Sequence, residues 1–406
     1  MRRVNHAAAA ALLLGTGASF AAGVSITVTH DLDAARPASV IAVPFNELDA
    51  VSPGLRMYHL VVRDPKGHPL TLQVTNYQHD HHGAQYDDLV FSYGFARGEK
   101  RAVFTLESVA TATPPVTPCA YARLVPERFD DMAWENDRIA HRMYGMALNG
   151  PAAAAVGEKL RGSGVDVWAK RVTYPIVDRW YQKGHDQLHK DGEGEGLDLY
   201  SIGGARGDGG TGIWDGQKLW TSDNFAQSQV LSNGPRRAVI RLGYAPWDAG
   251  AVNVQEQKQI TVDCGRNLDQ VESTFKFAGA EATVAIGLTE HPPAEGFPAA
   301  VLTRAPDDRW MSLWEENKDG GLGTAVILAP DVAAAGYAHD APANPKAYGN
   351  HLLLVKAHAG EAIRYFSGAG WNRSGQFKTR ADWETYVQAC AAQVAHPLSI
   401  SVSARP

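Results

Sequence analysis

The sequence has 406 residues, 45% hydrophobic and 20% charged, with a formal net charge of −6. This is the composition of a globular protein, and it excludes the basic surface that nucleic acid or an anionic membrane selects. Three cysteines, at 119, 264 and 390, exclude a disulfide-framed fold; an oxidising compartment permits one disulfide among them without singling out a pair.

The chain opens with Arg2 and Arg3, then an apolar run, then the small residues Ser19 and Ala21. That order predicts a secretory signal peptide, residues 1–21, cut after Ala21. The run is too short and too interrupted by Gly15 and Gly17 to span a bilayer. The expectation is an exported, periplasmic or extracellular protein with no membrane or nucleic-acid partner. Residues 22–110 read as an N-terminal β layer, with short strand-like runs at 24–28, 39–43, 58–62, 70–74 and 89–91 between turn residues. The Pro- and Thr-rich stretch 109–118 reads as a linker. The rest, 119–406, reads as one body, continuous with the first layer. Within it, 133–148 predicts a short helix limited by Gly145 and Gly150, and the glycine-rich 203–212 excludes long regular structure. From 236 onward strand signals dominate, at 238–242, 252–262, 271–277, 283–288, 325–328, 351–355 and 362–366. The later helix is 382–395, with Asp382 as N-cap and Trp383, Val387, Ala391 and Val394 at helical spacing. The fold class is therefore mainly β, a large antiparallel sandwich with few helices.

Three stretches carry candidate chemistry. If 133–148 is helical, Arg138, His141 and Arg142 share one face, with Tyr144 close by. Arginine's planar fork suits a carboxylate or sulfate, so Arg142→Ala is expected to weaken an anionic ligand more than its neutral analogue. The alternative is an exposed helix with internal ion pairs. In 170–200, His185 and His189 stand four apart among Asp186, Asp191, Glu193, Glu195 and Asp198. That is half a metal site, but Gly192, Gly194 and Gly196 break the helix it needs and no third ligand has fixed spacing. Acid–base chemistry fits better: His189 as base or acid, Tyr174, Tyr181 or Tyr200 as proton donor. The glycines would leave backbone room for a ligand. The alternative is a polar, turn-rich loop. In 77–91, His79, His81 and His82 stand where calcium wants carboxylates, so this is read as a structural hairpin turn. No metal and no cofactor are expected. Ten Trp and fourteen Tyr supply faces that stack on sugars or pack a core.

The motifs WENDRIAHRMYGMAL (134–148), DVWAKRVTYPIVDRWY (166–181), HKDGEGEGLDLYSIGGARGDGGTGIW (189–214) and NGPRRA (233–238) resemble, from about residue 25 to the C-terminus, the secreted bacterial family known as domain of unknown function 4861. That family is typical of polysaccharide-utilisation loci. The resemblance implies the super-sandwich architecture of galactose mutarotases and several polysaccharide lyases. It also implies a carbon–oxygen lyase acting on an anionic oligosaccharide, since one member type is implicated as an ulvan oligosaccharide dehydratase. Water leaves a terminal uronic acid and a 4,5-unsaturated sugar remains. On this reading Arg138, Arg142, Lys170 and Arg171 neutralise the substrate carboxylate, with Tyr174 and Asp198 also binding. His189 and Tyr200 trade protons, and His141 with Tyr144 is the second pair. This chain departs from the family in its His-rich turn and at His141, where an aromatic residue is usual. The competing readings are a glycoside hydrolase with Glu193 and Asp198 as paired carboxylates, and a non-catalytic sugar-binding or mutarotase-like protein.

Overall fold

The computed structural model describes residues 23–78, 84–184, 188–250, 252–342 and 344–405. The expected leader, His79, His81, His82, His185 and Asp186 lie outside the described residues. Strand accounts for 47% of the chain and helix for 12%, which bears out the mainly β class.

Alternation builds the first layer. In Val24–Thr29 every second side chain is buried, and Arg36–Pro44 and Arg101–Ser108 repeat the pattern, as a strand with one face on a core requires. Two sheets face each other. One is ordered Ser399–Ala404, Val24–Thr29, Arg101–Ser108, Leu60–Arg63, Pro69–Leu70; the other is Arg36–Pro44, Asp88–Phe95, Leu72–Val74. Ile26, Val43, Phe45, Phe91 and Phe104 fill the space between them. The last strand of the chain pairs with the first, Val24 opposite Ala404, so the N-terminal layer is completed by residues from the far end.

The body is a larger sandwich. Its main sheet runs Gln227–Ser232, Arg237–Gly243, Val252–Asp263, Leu268–Phe277, Ala362–Trp371, Gly320–Leu328, Trp310–Asn317, Val301–Arg304, with Trp247–Ala249 pairing beside Val252–Asp263. Against it lies the sheet Leu219–Trp220, Asp208–Trp214, Ala282–Glu290, Gly349–Ala357, Ala334–Asp340, with Ile240, Phe275, Ile286, Val326 and Leu353 between. A Cys119–Cys264 disulfide ties the start of the body to the main sheet, and Cys390 is buried and unbonded. The helix Arg380–Ala395 covers that sheet's outer face. Its cap is Thr379, in a reciprocal box with Asp382, which is therefore the third helical residue and not the cap. Trp383 is fully buried on Leu268, Ala325 and Ile327. It fits because Gly323 and Gly370 have no Cβ, which would meet the indole at 2.2 and 2.5 Å.

A third sheet, ordered Gly196–Leu197, Asp166–Lys170, Ile139–Met143, Asp131–Glu135, Tyr121–Val125, lies between this core and the segment that follows Lys170. Every residue of its three middle strands is buried. The helix expected over 133–148 is thus two strands of a hairpin. Asn136 makes the turn: its Oδ1 accepts from Arg138 N at 2.8 Å and Ile139 N at 3.2 Å. With both faces covered, the strands show no apolar–polar alternation, and the period-two signal vanishes. Met132, Trp134, Ile139, His141 and Met143 face the sandwich, while Asp131, Glu135, Arg142, Asp166 and Lys170 sit on the opposite face.

Candidate active site

The charged face is organised by Arg142. Its Nε donates to Asp166 Oδ2 at 2.6 Å and its Nη2 to Asp198 Oδ2 at 2.9 Å. Its guanidinium lies between the rings of Tyr144 and Trp168, 5.3 and 5.2 Å from their centroids. Tyr144 donates its hydroxyl to the same Asp166 oxygen at 2.8 Å, and Tyr181 donates to Asp131 at 3.2 Å. Nη1 of Arg142 stands 3.9 Å from Asp131, beyond hydrogen-bond reach. One guanidinium does not neutralise three buried carboxyls. Burial pushes Asp131 up to about 7 against the pull of Arg142. Burial and then Asp166 push Asp198 well above the usual carboxylate range. Burial also works against the Arg142 charge, but Tyr144, Asp166 and Asp198 outweigh it, so the cluster keeps its cation and holds protons near neutrality.

A cleft of about 310 Å³ opens on this cluster, lined by Arg142, Tyr144 and Asp166 together with His189, Tyr200, Arg128 and Lys159. His189 Nδ1 lies 2.9 Å from the carbonyl oxygen of Asp198. A carbonyl only accepts, so Nδ1 donates this bond. The His189 side chain is 46% exposed. Tyr200 is buried, and burial followed by the charge of Glu315 pushes its hydroxyl well above the usual phenol range, so it keeps its proton. Arg128 is ion-paired with Glu158, and Lys159 is exposed at the rim.

On the other side of Tyr200 a second depression of about 250 Å³ is lined by His291, Glu315 and Tyr348 and shares Tyr200 and Ser201 with the first. His291 Nδ1 lies 2.7 Å from Glu315 and Nε2 lies 2.6 Å from the Ser201 carbonyl. Both ring nitrogens face acceptors, which an imidazolium alone satisfies. Burial opposes that charge, but Glu315 outweighs it and raises the His291 pKa above the ordinary value. The ring meets Tyr200 edge-on at 4.8 Å, so the ion pair holds the strip that carries Tyr200.

The structure therefore gathers His189, Tyr200, Tyr144 and Arg142, with Asp198 behind them. It separates the others. His141 is buried on the opposite face of the sheet, stacked on Trp134 at 5.5 Å and 3.8 Å from Asp269, and burial pushes it down to about 4. It cannot pair with Tyr144 across the sheet, and it does not share a face with Arg142. Lys170 is 1% exposed and donates to Glu135 at 2.6 Å and to the Asn136 carbonyl at 2.7 Å. Glu135 also takes the backbone N–H groups of Ile176 and Val177, so the pair anchors the start of helix Val177–Lys183 and is out of a substrate's reach. Arg138 is at the hairpin turn beside Asp137. Arg171 pairs with Asp191 at 2.6 Å and lies on Trp371. Tyr174 donates to Glu195 at 2.8 Å. None of these three lines the cleft. Glu193 pairs with Lys183 at 2.8 Å, and neither it nor the buried Asp198 lines the cleft. Gly196, φ +124°, serves packing and not a ligand: a Cβ there would meet the Ala169 carbonyl at 2.0 Å. Asp131, Asp166, Arg128, Lys159, His291 and Glu315 also belong to these sites, and their spacing in the sequence does not single them out. Asp166 opens a quoted motif, DVWAK, and Asp131 lies beside another. Nothing local links His291 to Glu315.

Fold and cleft define a mainly β sandwich protein in which a histidine and a tyrosine stand over a buried arginine–carboxylate cluster. The chain belongs to the family described as domain of unknown function 4861, whose pattern matches residues 28–400. A relative, "Uncharacterized protein P7" of Formosa agariphila, is 32% identical over 286 residues, 70% of this chain and 69% of that protein. Among solved structures, a protein in the glycosyl hydrolase family 38 from Enterococcus faecalis aligns with 94% of this chain at 10% identity and a TM-score of 0.48. An alpha-mannosidase from Enterococcus faecalis V583 aligns at 10% identity and a TM-score of 0.45. The chain covers 48% and 46% of those two structures, about half their length, and the similarity is too low to argue a shared chemistry.

Proposed function

We propose that this protein is a carbohydrate-active lyase that removes water from a uronic acid residue of an oligosaccharide, leaving a 4,5-unsaturated sugar. One observation carries the reading: a single cleft is lined by His189, by a tyrosine that retains its proton, and by the cations Arg128, Arg142 and Lys159. The step balances. His189 Nε2 takes the C5 proton, the C–H electron pair forms the C4–C5 double bond, and the C4 hydroxyl leaves as water with a proton from Tyr200. The cations lower the cost of the enolate-like intermediate by holding the carboxylate. The leader-like 1–21 supports a periplasmic or extracellular site of action. No helix among the described residues is long and apolar enough to cross a membrane.

The test is a spectrophotometric screen of uronic-acid-terminated oligosaccharides. New near-ultraviolet absorbance from the conjugated double bond, with a product lighter by one water, is expected. Elimination of a glycosyl group would give the same absorbance with two fragments. Reducing ends without absorbance would mean hydrolysis, and binding without product a sugar-binding protein; either outcome sinks the proposal.

A further inference from the structure

Glu290, His339 and His351 occupy one face of the second sandwich sheet, at the end nearest the second depression. His339 and His351 are directly opposite each other on paired strands, and Glu290 is opposite Gly349, two positions along from His351. Their rings stack at 4.7 Å. The Nε2 atoms of His339 and His351 lie 2.7 and 3.9 Å from the same Glu290 oxygen, and one ligand atom from each residue lies within 4.8 Å of the others. Zinc at its usual bond lengths of about 2.0–2.1 Å wants its ligand atoms roughly 3.3 Å apart, so small side-chain rotations close the site.

We propose that these three residues bind a divalent transition metal, with zinc the best fit, and that the ion clamps the hairpin carrying Tyr348. Two imidazoles and one carboxylate are a borderline donor set that suits zinc and disfavours calcium or magnesium, which take oxygen. The surroundings are built for it. Tyr337, on the same face two residues before His339, has its hydroxyl 2.7 Å from His351 Nδ1, the outer contact that orients a ligating histidine and leaves Nε2 toward the metal. Gly349 leaves space for the carboxylate, since a Cβ there would stand 3.0 Å from Glu290 Oε2. His351 is 8% exposed while His339 is exposed, so an ion has both a fixed wall and a way in. The strands bearing the two histidines are joined by the segment that ends in Tyr348, whose ring packs on His291 at 4.8 Å. An ion here would stiffen one wall of the second depression without touching a substrate. This revises the expectation that no metal is involved and is independent of the reaction proposed above.

The experiment uses untagged protein stripped by chelator, titrated with zinc chloride in a calorimeter and assayed for retained zinc after gel filtration; cobalt(II) substitution reports geometry through its visible absorption bands. About one zinc per chain is expected, with a melting temperature that rises on zinc addition. His339→Ala, exposed and outside the cleft lining, should lose at least about tenfold in affinity and all of the thermal shift, and Tyr337→Phe should lose about tenfold. Glu290→Gln gives a second ligand variant that keeps the side chain's size. Wild-type protein that retains no stoichiometric zinc would overturn the proposal, and so would His339→Ala and Glu290→Gln variants that bind zinc as wild type does.

Discussion

Arg142 Nε and Asp166 Oδ2 lie 2.6 Å apart at the back of the cleft, and that contact decides how Arg142 variants should be read. Arg142→Ala would leave Asp131, Asp166 and Asp198 buried without their cation. Breaking a buried ion pair from one side costs about 3–5 kcal/mol. The expected result is a large drop in the denaturation midpoint, seen by urea unfolding, in place of the selective loss of uronate binding that the sequence suggested. Lys159→Ala, at the exposed rim, is the variant that should raise KM for uronate-terminated oligosaccharides several-fold while leaving stability unchanged. Equal effects on a neutral analogue would count against an anionic substrate.

His189→Ala and Tyr200→Phe should each lower kcat by roughly 10²–10⁴-fold with a melting temperature close to wild type. Retention of more than about a tenth of the activity in both folded variants would refute the acid–base assignment. His141→Phe should keep activity within a few-fold, because the ring faces Trp134 and the core, not the cleft.

Glu315 accepts from the ring and the backbone of His291, at 2.7 and 2.9 Å, and His291 in turn holds the Ser201 carbonyl beside Tyr200. Glu315→Gln removes the charge that keeps His291 protonated. We expect kcat to fall about tenfold or more, as when a catalytic group is misplaced, with KM little changed and the pH–rate profile displaced. A change in KM alone would show that the pair does not position Tyr200.

Burial raises Asp131 and Asp208 to about 7 and Asp269 to about 8. Between the ordinary carboxyl range and those values the folded state binds more protons than the unfolded one, so stability falls as pH rises. His141, held at about 4, has the opposite sign: its contribution is present above about 6.5 and is lost as pH falls toward 4. The melting temperature should therefore fall as pH rises from about 5 to 7, with His141 offsetting part of the carboxyl effect below about 6.5, and level off above about 8 as the last of the three carboxyls ionises. Asp269→Asn keeps an acceptor for Trp134 Nε1, now 2.7 Å from the carboxyl, and should flatten that slope by up to about 1.4 kcal/mol per pH unit. An unchanged slope would mean that Asp269 is ionised in the fold.

The mainly β class, the strands at 24–28 and 39–43, and the helix over 382–395 were legible in the sequence, because a one-sided core imposes a period of two or 3.6 on side chains that alternate between core and water. His189 and Tyr200 stand in one distinctive motif, and the structure brings both to one cleft. Tertiary structure alone decided the rest. Strand Ile139–Met143 is buried on both faces, so its sequence carries no period, and only the register of its neighbours sends Arg142 to the cleft and His141 to the core. Lys170 and Arg142 look alike as cations in the chain, and it is their partners, Glu135 for one and Asp166 with Asp198 for the other, that give one to a helix start and the other to the cleft. The His291–Glu315 pair bridges residues 24 apart, and Glu290 meets the hairpin of His339 and His351 from a strand remote in sequence. Cross-strand register sets such contacts, and no local pattern encodes it.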